Sequence, residues 1–197
     1  MLEILENYDY EIIVILQGAL GYNSSLDKAV TLFASDYLIP VSVGLLIIYS
    51  WFGTEERSVR LKHQLATMTA VVSLAMTNLS ILILNNFLFR PRPYDSYEVE
   101  VFFYLPTDSS FPANSVAAIF ALTVPFLFSR IPIGLTLVCC SIVLGIARVL
   151  VGVHYPTDIL GAILLAAAIS SVITVIFSNY RTKLEKMVYF AQRILLA

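Results

Sequence analysis

One short stretch of the chain combines three side-chain types that suit phosphoryl chemistry. Arg148, His154 and Asp158 lie within twelve residues of one another, between two apolar segments. An arginine can neutralise phosphate oxygens, an imidazole can attack phosphorus, and a carboxylate can orient that imidazole. The whole chain has two histidines, and one of them lies here. The pattern indicates phosphoryl chemistry at a membrane surface, with these three residues as the catalytic candidates.

A second segment supplies further groups that can bind an anion. It contains Arg90 and Arg92 in an Arg-Pro-Arg-Pro turn and, after a polar loop, reaches Asn114 and Ser115 at the start of an apolar run. A serine or asparagine in that position is typical of a helix N-terminus, whose free amides and positive dipole end attract anions. We therefore expect these four residues to bind phosphate.

The composition indicates that a membrane protein carries these residues. Of 197 residues, 58% are hydrophobic and 13% are charged, and the mean hydropathy of +0.82 exceeds that of ordinary soluble domains. A bilayer core of about 30 Å takes about 20 apolar residues per helix. The apolar runs that approach this length are Ile12–Leu26, Tyr37–Thr54, Leu65–Phe89, Ser109–Ser129, Ile131–Ala147 and Ile159–Tyr180. The second run reaches the full length as Ala29–Phe52 if Asp36 lies near an interface.

These runs predict an all-α protein, a polytopic membrane bundle of five or six transmembrane helices. Residues 1–197 are expected to form one domain, whose core covers about residues 29–180. The number of transmembrane helices depends on Ile12–Leu26, which either spans the membrane or, because it is short and contains polar residues, lies in its interface.

The distribution of basic residues predicts the orientation of the bundle. Eight of the twelve Lys and Arg residues share one face if the helices alternate, namely Arg57, Arg60, Lys62, Arg130, Arg181, Lys183, Lys186 and Arg193. Because basic loops remain in the cytoplasm, we expect that face to be cytoplasmic. Arg90, Arg92 and Arg148 then lie on the outer face. The prediction is a multi-pass protein of the cell membrane with an outward-facing active site.

The two ends of the chain lie outside the predicted core. The acidic residues before position 12, Asp9 among them, oppose the positive charge that begins a signal peptide, so no cleavable signal is expected. Residues 181–197 are expected to form a cytoplasmic amphipathic tail on the membrane surface, or else a frayed end of the last helix.

The spacing of the candidate residues resembles the type 2 phosphatidic acid phosphatase family of integral membrane lipid phosphatases. That family has three motifs: Lys, six residues, Arg-Pro; then Pro-Ser-Gly-His; then Ser-Arg, five residues, His, three residues, Asp. Here Arg92 matches the end of the first motif, and Arg148, His154 and Asp158 match the third at the same spacings. Within the family, the layout is most similar to the bacitracin-resistance type of undecaprenyl pyrophosphate phosphatase. The resemblance covers most of the chain, from about residue 37 to residue 180.

Five positions depart from the family pattern, and two of them are Ala113 and Asn114, which replace Ser and Gly in the second motif. Asn85 stands where the first motif has Lys, Ser115 where the second has His, and Ala147 where the third has Ser. The second-motif His is the family's general acid toward the leaving oxygen, and a serine hydroxyl is not acidic near neutral pH. A phosphate monoester, with a second pKa of about 6, can leave without a proton, whereas a lipid alkoxide needs one. The degenerate motif therefore favours a lipid diphosphate as the substrate.

The resemblance implies in-line displacement through a phosphohistidine. His154 attacks the terminal phosphorus, Asp158 accepts the other ring N–H, and water hydrolyses the phosphoenzyme. The arginines neutralise the equatorial oxygens, and amides near Asn114 and Ser115 add dipolar support. No cofactor or metal is expected, since one His and one Asp make a poor ligand set. The expected partners are a lipid phosphate and the bilayer, without nucleic acid; the pattern predicts no oligomeric state.

The predicted function is hydrolysis of a polyprenyl (undecaprenyl-type) diphosphate to the monophosphate, as in recycling of a cell-wall lipid carrier. Two alternatives remain open, because His154 and the arginines would serve them equally well. One is a catalytically weak or dead relative that binds or moves a phospholipid. The other is a phosphotransferase that passes the phosphate to another acceptor.

Overall fold

The computed structural model describes residues 2–18, 20–53, 55–97, 101 and 104–195, and the regular elements in those ranges are α-helices. In chain order they are α1 (Leu2–Gln17), α2 (Ser24–Ala34), α3 (Leu38–Phe52), α4 (Arg57–Asn85), α5 (Pro93–Ser96), α6 (Asn114–Phe128), α7 (Ile133–Leu150), α8 (Pro156–Asn179) and α9 (Arg181–Leu195). The all-helical class predicted from the sequence is confirmed.

Three of these helices, α4, α7 and α8, are long and apolar enough to cross a bilayer. α2 and α3 together would make a fourth span, bent by 49° at the break between them. α6 is apolar but has 15 residues, which is shorter than a full span. The described part of the chain therefore has three or four candidate spans, where the apolar runs predict five or six.

The first apolar run and the longer form of the second are interrupted, which corrects their predicted bounds. Ile12–Leu26 is not one helix, because the chain turns at Gly21, which has a φ of 85°, and Asn23 caps the start of α2. Ala29–Phe52 is divided between α2 and α3, whereas the shorter form, Tyr37–Thr54, contains the whole of α3. Pro40 lies in the first turn of α3, where the missing amide is tolerated but a continuous helix from α2 would lose a hydrogen bond. Local turn chemistry here overrides a continuous apolar pattern.

α6 forms the centre of the bundle and packs against α4, α7 and α8. The fully buried alanines at these contacts are Ala70, Ala117, Ala121, Ala162 and Ala166. Small side chains let membrane helices approach closely and so increase the packing between their backbones. As a result the N-termini of α6 and α8 meet, and the amide of Ala113 donates to the Asp158 carbonyl at 3.3 Å.

The bundle has two distinct ends, because α4, α6, α7 and α8 alternate in direction. The end that contains the N-termini of α6 and α8 also contains the loop with His154, and we name it the His154 end. The opposite end contains the start of α4, the end of α8 and Lys62, and we name it the Lys62 end. The predicted site residues all belong to the His154 end.

α1 lies across the His154 end. From the middle of the helix, the carboxylate of Asp9 accepts from the amide of Thr157 at 3.1 Å. From its last residue, Gln17 Nε2 donates to the Leu150 carbonyl at 3.5 Å. Both contacts are made with the same end of the bundle, so the structure supports the interfacial alternative for the Ile12–Leu26 run.

The C-terminal segment forms a helix of its own. Tyr180 separates α8 from α9, and Val188 of α9 is fully buried. α9 packs on α4, where the guanidinium of Arg57 lies over the ring of Tyr189 at 5.3 Å. Its location on the cytoplasmic surface stays a prediction.

Candidate active site

His154 lies in the tight turn between α7 and α8, where it is 3% exposed. Gly152 permits this turn because its φ of 79° is unfavourable for residues that have a Cβ. The Nδ1 atom of His154 is 2.9 Å from the backbone carbonyl oxygen of Ser110. Since a carbonyl oxygen only accepts, Nδ1 carries the proton and Nε2 keeps its lone pair. The turn thus presents a ring whose Nε2 can act as a nucleophile.

The surroundings of His154 favour its neutral form. Burial lowers the pKa of His154 below its ordinary value, and the positive charges of Arg92 and Arg148 lower it further, against the opposing effect of Asp158. Only the neutral imidazole has a lone pair with which to attack phosphorus. The ring is therefore ready to react at neutral pH.

Asp158 is fully buried in the first turn of α8 and is held there by three donors. Its Oδ2 accepts from the Ser110 hydroxyl at 2.5 Å and from the Tyr155 amide at 2.9 Å. Its Oδ1 accepts from Arg90 at 2.5 Å. Asp158 therefore caps α8 while its remaining oxygen anchors an arginine.

The link between Asp158 and His154 differs from the predicted one. His154 Nδ1 is 3.7 Å from Asp158 Oδ2, which is too far for a hydrogen bond. The ring N–H instead donates to the carbonyl of Ser110, and the hydroxyl of Ser110 donates to Asp158. Asp158 thus orients the imidazole through Ser110, because its own oxygens are taken by closer donors.

Arg92 places its guanidinium beside the reactive nitrogen. It is buried, and its Nη1 lies 3.4 Å from His154 Nε2 and donates to the Val153 carbonyl at 2.7 Å. Its Nη2 donates to the Asp108 carboxylate at 2.6 Å, and its Nε donates to the Asp108 carbonyl at 3.0 Å. A phosphorus attacked by Nε2 would have this cation next to its oxygens.

Arg148 lies in the last turn of α7 and is also buried. Its Nη2 donates to the carboxylate of Asp36, in the break between α2 and α3. The other oxygen of Asp36 accepts from the Tyr104 hydroxyl at 2.7 Å. The charge of Arg148 contributes, with that of Arg92, to lowering the pKa of His154.

Arg90 is occupied by carboxylates on both sides. Its Nη1 donates to Asp158 at 2.5 Å and to the Thr157 hydroxyl at 2.8 Å, and its Nη2 donates to Asp9 at 2.8 Å. Its guanidinium carbon also lies 4.1 Å from the centre of the Tyr155 ring. These contacts make Arg90 a support for Asp158, and they differ from the direct phosphate contact that the sequence predicts.

Asn114 and Ser115 open α6 at the edge of the site. Asn114 Nδ2 donates to Asp108 at 3.1 Å, and its buried Oδ1 has no hydrogen-bond partner among the described residues. Ser115 is half-buried in the first turn, where backbone amides lack partners within the helix. The end of α6 therefore offers its amides to an anion next to Arg92.

Comparison with known proteins identifies the family. Residues 66–182 match the PAP2 superfamily. The chain belongs to this superfamily. The match contains every predicted site residue, namely Arg90, Arg92, Asn114, Ser115, Arg148, His154 and Asp158. The protein is thus a membrane lipid phosphatase of the PAP2 superfamily, as the motif spacing predicts.

Two relatives and one solved structure are similar to this PAP2 phosphatase over most of its length. Undecaprenyl-diphosphatase BcrC of Bacillus subtilis (strain 168) is 32% identical over 163 residues, which cover 82% of this chain and 80% of the relative. Putative undecaprenyl-diphosphatase YbjG of Escherichia coli (strain K12) is 25% identical over 162 residues, or 81% and 78% of the two chains. The crystal structure of Aquifex aeolicus LpxE has the same fold, with a TM-score of 0.62 and 21% identity over 83% of this chain and 92% of that one.

Three aspartates of this PAP2 phosphatase bind site arginines and are absent from the predicted site. They are Asp9, Asp36 and Asp108. Asp9 and Asp36 lie outside the range that matches the superfamily. Motif spacing could not reveal Asp9 or Asp36, because the hydrogen bond from Arg90 to Asp9 joins residues 81 positions apart and that from Arg148 to Asp36 joins residues 112 positions apart.

Proposed function

We propose that this PAP2 phosphatase hydrolyses an undecaprenyl-type diphosphate to the monophosphate through a phosphohistidine, at the outer face of the cell membrane. The observation that carries the proposal is the environment of His154 Nε2, which has a lone pair and lies 3.4 Å from the Arg92 guanidinium. The names of the two relatives, both undecaprenyl-diphosphatases and one of them putative, support the choice of substrate.

The first half of the reaction transfers the terminal phosphoryl group to the enzyme. His154 Nε2 attacks the terminal phosphorus, and the N–P bond forms as the bond from phosphorus to the bridging oxygen breaks. The lipid monophosphate leaves with that electron pair. Arg92 and Arg148 neutralise the phosphoryl oxygens. The positive charge that develops on the ring is stabilised by the Ser110 carbonyl and, through it, by Asp158.

The second half of the reaction releases phosphate. Water attacks the phosphohistidine, the N–P bond breaks, and its electron pair returns to Nε2 of His154. One water proton remains on the inorganic phosphate as its new hydroxyl group, and the other passes to solvent. Since the proton stays on Nδ1 and is donated to the Ser110 carbonyl throughout, the ring ends each cycle in its starting tautomer.

A diphosphate suits a site that has Ser115 in place of a histidine. The group that departs from a lipid diphosphate is a phosphate monoester, whose second pKa of about 6 allows it to leave unprotonated. Exposed Phe87, Leu88 and Phe89 precede Arg90 at the edge of the site. These apolar side chains give the polyprenyl chain a path from the site into the bilayer.

Phosphate release by purified protein from three lipids tests this proposal. The lipids are undecaprenyl diphosphate, undecaprenyl monophosphate and phosphatidic acid. We expect kcat/KM for the diphosphate to exceed that for either monophosphate by about 10²-fold or more, because a general acid contributes about that much to a poor leaving group. Equal rates would contradict the leaving-group argument. Transfer of the phosphate to an added acceptor would favour a phosphotransferase, and lipid binding without release would favour a lipid-binding relative.

Labelling of single cysteines in intact cells tests the orientation. In a protein without Cys139 and Cys140, Ser96→Cys at the His154 end should react with an impermeant thiol reagent. The matched variant Ser58→Cys, which is also exposed but lies at the Lys62 end, should react only after lysis. The opposite pattern would place the active site in the cytoplasm.

A further inference from the structure

A cavity opens at the Lys62 end, at the far end of the bundle from His154. It has a volume of about 700 Å³ and lies between the start of α4, the turn after α6, the end of α8 and the start of α9. An adjoining pocket shares its wall and has an apolar floor formed by Leu65, Pro125, Phe177 and Leu184. The combined space has a polar mouth and an apolar interior.

Three exposed cations surround the mouth of this cavity. They are Lys62, Arg130 and Arg181. Arg181 donates to Glu185 at 2.8 Å, whereas Lys62 and Arg130 form no ion pair with any residue in the described ranges. No Asp or Glu of the described part lines the cavity. Glu56 lies beside the lining and accepts from the Ser58 hydroxyl at 2.5 Å. The charges at the mouth still sum to a net positive value, which attracts an anion.

Arg130 occupies a backbone position that usually takes glycine. Its φ is 52°, in the left-handed region, and the amide of Ile131 donates to the Phe126 carbonyl at 2.9 Å to close the end of α6. Glycine would adopt this conformation more easily than arginine. The side chain of Arg130 is exposed, so packing does not offset that cost. This exposed side chain places a positive charge at the cavity mouth.

The cavity lies at the depth of lipid headgroups. α4 begins and α8 ends at its rim, and both helices are long and apolar enough to cross the bilayer. α9 leaves from the same rim and exposes Met187, Tyr189 and Phe190 together with basic residues. An amphipathic helix of this kind lies in the membrane interface. The mouth therefore faces the headgroups of one leaflet.

We propose that this cavity binds the headgroup of an anionic glycerophospholipid from the leaflet at the Lys62 end. Lys62 and Arg130 bind the headgroup phosphate, and an acyl chain lies over the apolar floor beside Phe177 and Leu184. Basic residues at a membrane surface attract anionic lipids in this way. The site is separate from His154 and takes a structural lipid that is not hydrolysed there.

Titration of the full-length protein with dioleoylphosphatidylglycerol in zwitterionic micelles tests this site, with bound lipid counted by native mass spectrometry. Lys62→Gln and Arg130→Gly should each weaken the apparent Kd about fivefold, which is the usual contribution of one basic residue near an anionic lipid surface. Arg130→Gly also puts glycine at the left-handed position, so the variant keeps its fold. Lys183→Gln is the matched control, because Lys183 is exposed near the same end, faces the Tyr180 ring and does not line the cavity.

Dioleoylphosphatidylcholine and inorganic phosphate complete the experiment. Phosphatidylcholine should bind equally to all of these proteins, since its headgroup has no net charge. Equal phosphatidylglycerol affinity in wild type, Lys62→Gln and Arg130→Gly would overturn the proposal. Inorganic phosphate that binds alone with the same dependence on Lys62 and Arg130 would also overturn it, in favour of a soluble anion. His154→Ala should leave phosphatidylglycerol binding at the Lys62 end unchanged. A negative result for this lipid site is therefore distinguishable from a negative result for the phosphatase reaction.

Discussion

The two ends of the bundle hold their positive charges in opposite ways. At the His154 end, Arg92 and Arg148 are buried and each bonds to an aspartate. At the Lys62 end, Lys62 and Arg130 are exposed and have no ion pair within the described ranges. A charge removed from water needs a partner, whereas an exposed charge is solvated. The first end is therefore organised for a reaction, and the second for reversible attraction of an anion.

The aspartates of the His154 end themselves fall into two groups. Asp9 and Asp158 are 1% and 0% exposed and hold Arg90 between them. Asp36 and Asp108 are 45% and 50% exposed and bond to Arg148 and Arg92, respectively. We infer that the buried pair stays in place during the reaction, while the half-exposed pair gives way to the phosphate oxygens.

The largest expected effect comes from substituting the histidine at the His154 end, with the histidine toward the Lys62 end as the comparison. His154→Ala should lower phosphate release from undecaprenyl diphosphate on the order of 10⁴-fold or more, because it removes the nucleophile. His63 lies toward the Lys62 end, where its Nδ1 is 3.0 Å from the Ser50 hydroxyl. His63→Ala is therefore the matched control and should leave the release rate nearly unchanged. Undiminished release by His154→Ala would exclude the phosphohistidine.

The second prediction concerns the leaving group at the His154 end. Ser115→His should restore a general acid and raise monophosphate hydrolysis by up to about 10²–10⁴-fold, with a much smaller gain for the diphosphate. Ser115→Ala is the control and should change neither rate, since the serine hydroxyl is not an acid near neutral pH. If the ratio of diphosphate to monophosphate hydrolysis were the same in Ser115→His as in wild type, the leaving group would not determine the preference for the diphosphate.

The sequence predicts those parts of the site that lie close together along the chain. The spacing of Arg148, His154 and Asp158 is a property of one turn and the two helix ends beside it. Arg92 is found because its motif has a recognisable Arg-Pro pair. The long apolar runs that became α4, α7 and α8 are found because a bilayer requires such runs.

The parts that escape prediction depend on contacts between distant segments. In the sequence, Asp9 is one of several acidic residues near the N-terminus, and nothing distinguishes it from the others. Its hydrogen bond with Arg90 forms because α1 lies across the bundle. The break near Asp36 interrupts an apolar run without changing its composition, yet it brings a carboxylate to Arg148. Periodicity and composition describe each segment alone, so neither can indicate which segments meet.

The third prediction tests the buried pair of aspartates. Asp9→Asn should lower kcat roughly 10-fold to 100-fold, because Arg90 then holds Asp158, and through it the His154 ring, less firmly. KM should change little, since Arg92 and Arg148 remain in place. Glu11→Gln changes an exposed carboxylate of the same helix and is the control. An Asp9→Asn variant with full kcat would show that α1 does not position the site.

The smallest expected effect tests the half-exposed aspartates. Asp108→Asn keeps the shape of the side chain but removes the charge that Arg92 binds, so the substrate no longer competes with a carboxylate. We expect KM to fall about threefold to fivefold, which corresponds to at most about 1 kcal/mol for a half-exposed ion pair, and Asp36→Asn should act similarly through Arg148. Asp27→Asn is the control, because Asp27 accepts from the Gly21 amide at 3.1 Å and forms no ion pair with a described arginine.

The kcat of Asp108→Asn separates two roles for this carboxylate. If Asp108 only occupies Arg92 before the substrate arrives, kcat stays the same for diphosphates and monophosphates while KM falls. If kcat falls, and falls more for monophosphates, then Asp108 donates the proton that the family's second-motif histidine would otherwise supply. In that case Ser115→His should rescue the Asp108→Asn variant. The His154 end would then differ from the Lys62 end in proton transfer as well as in the burial of its positive charges.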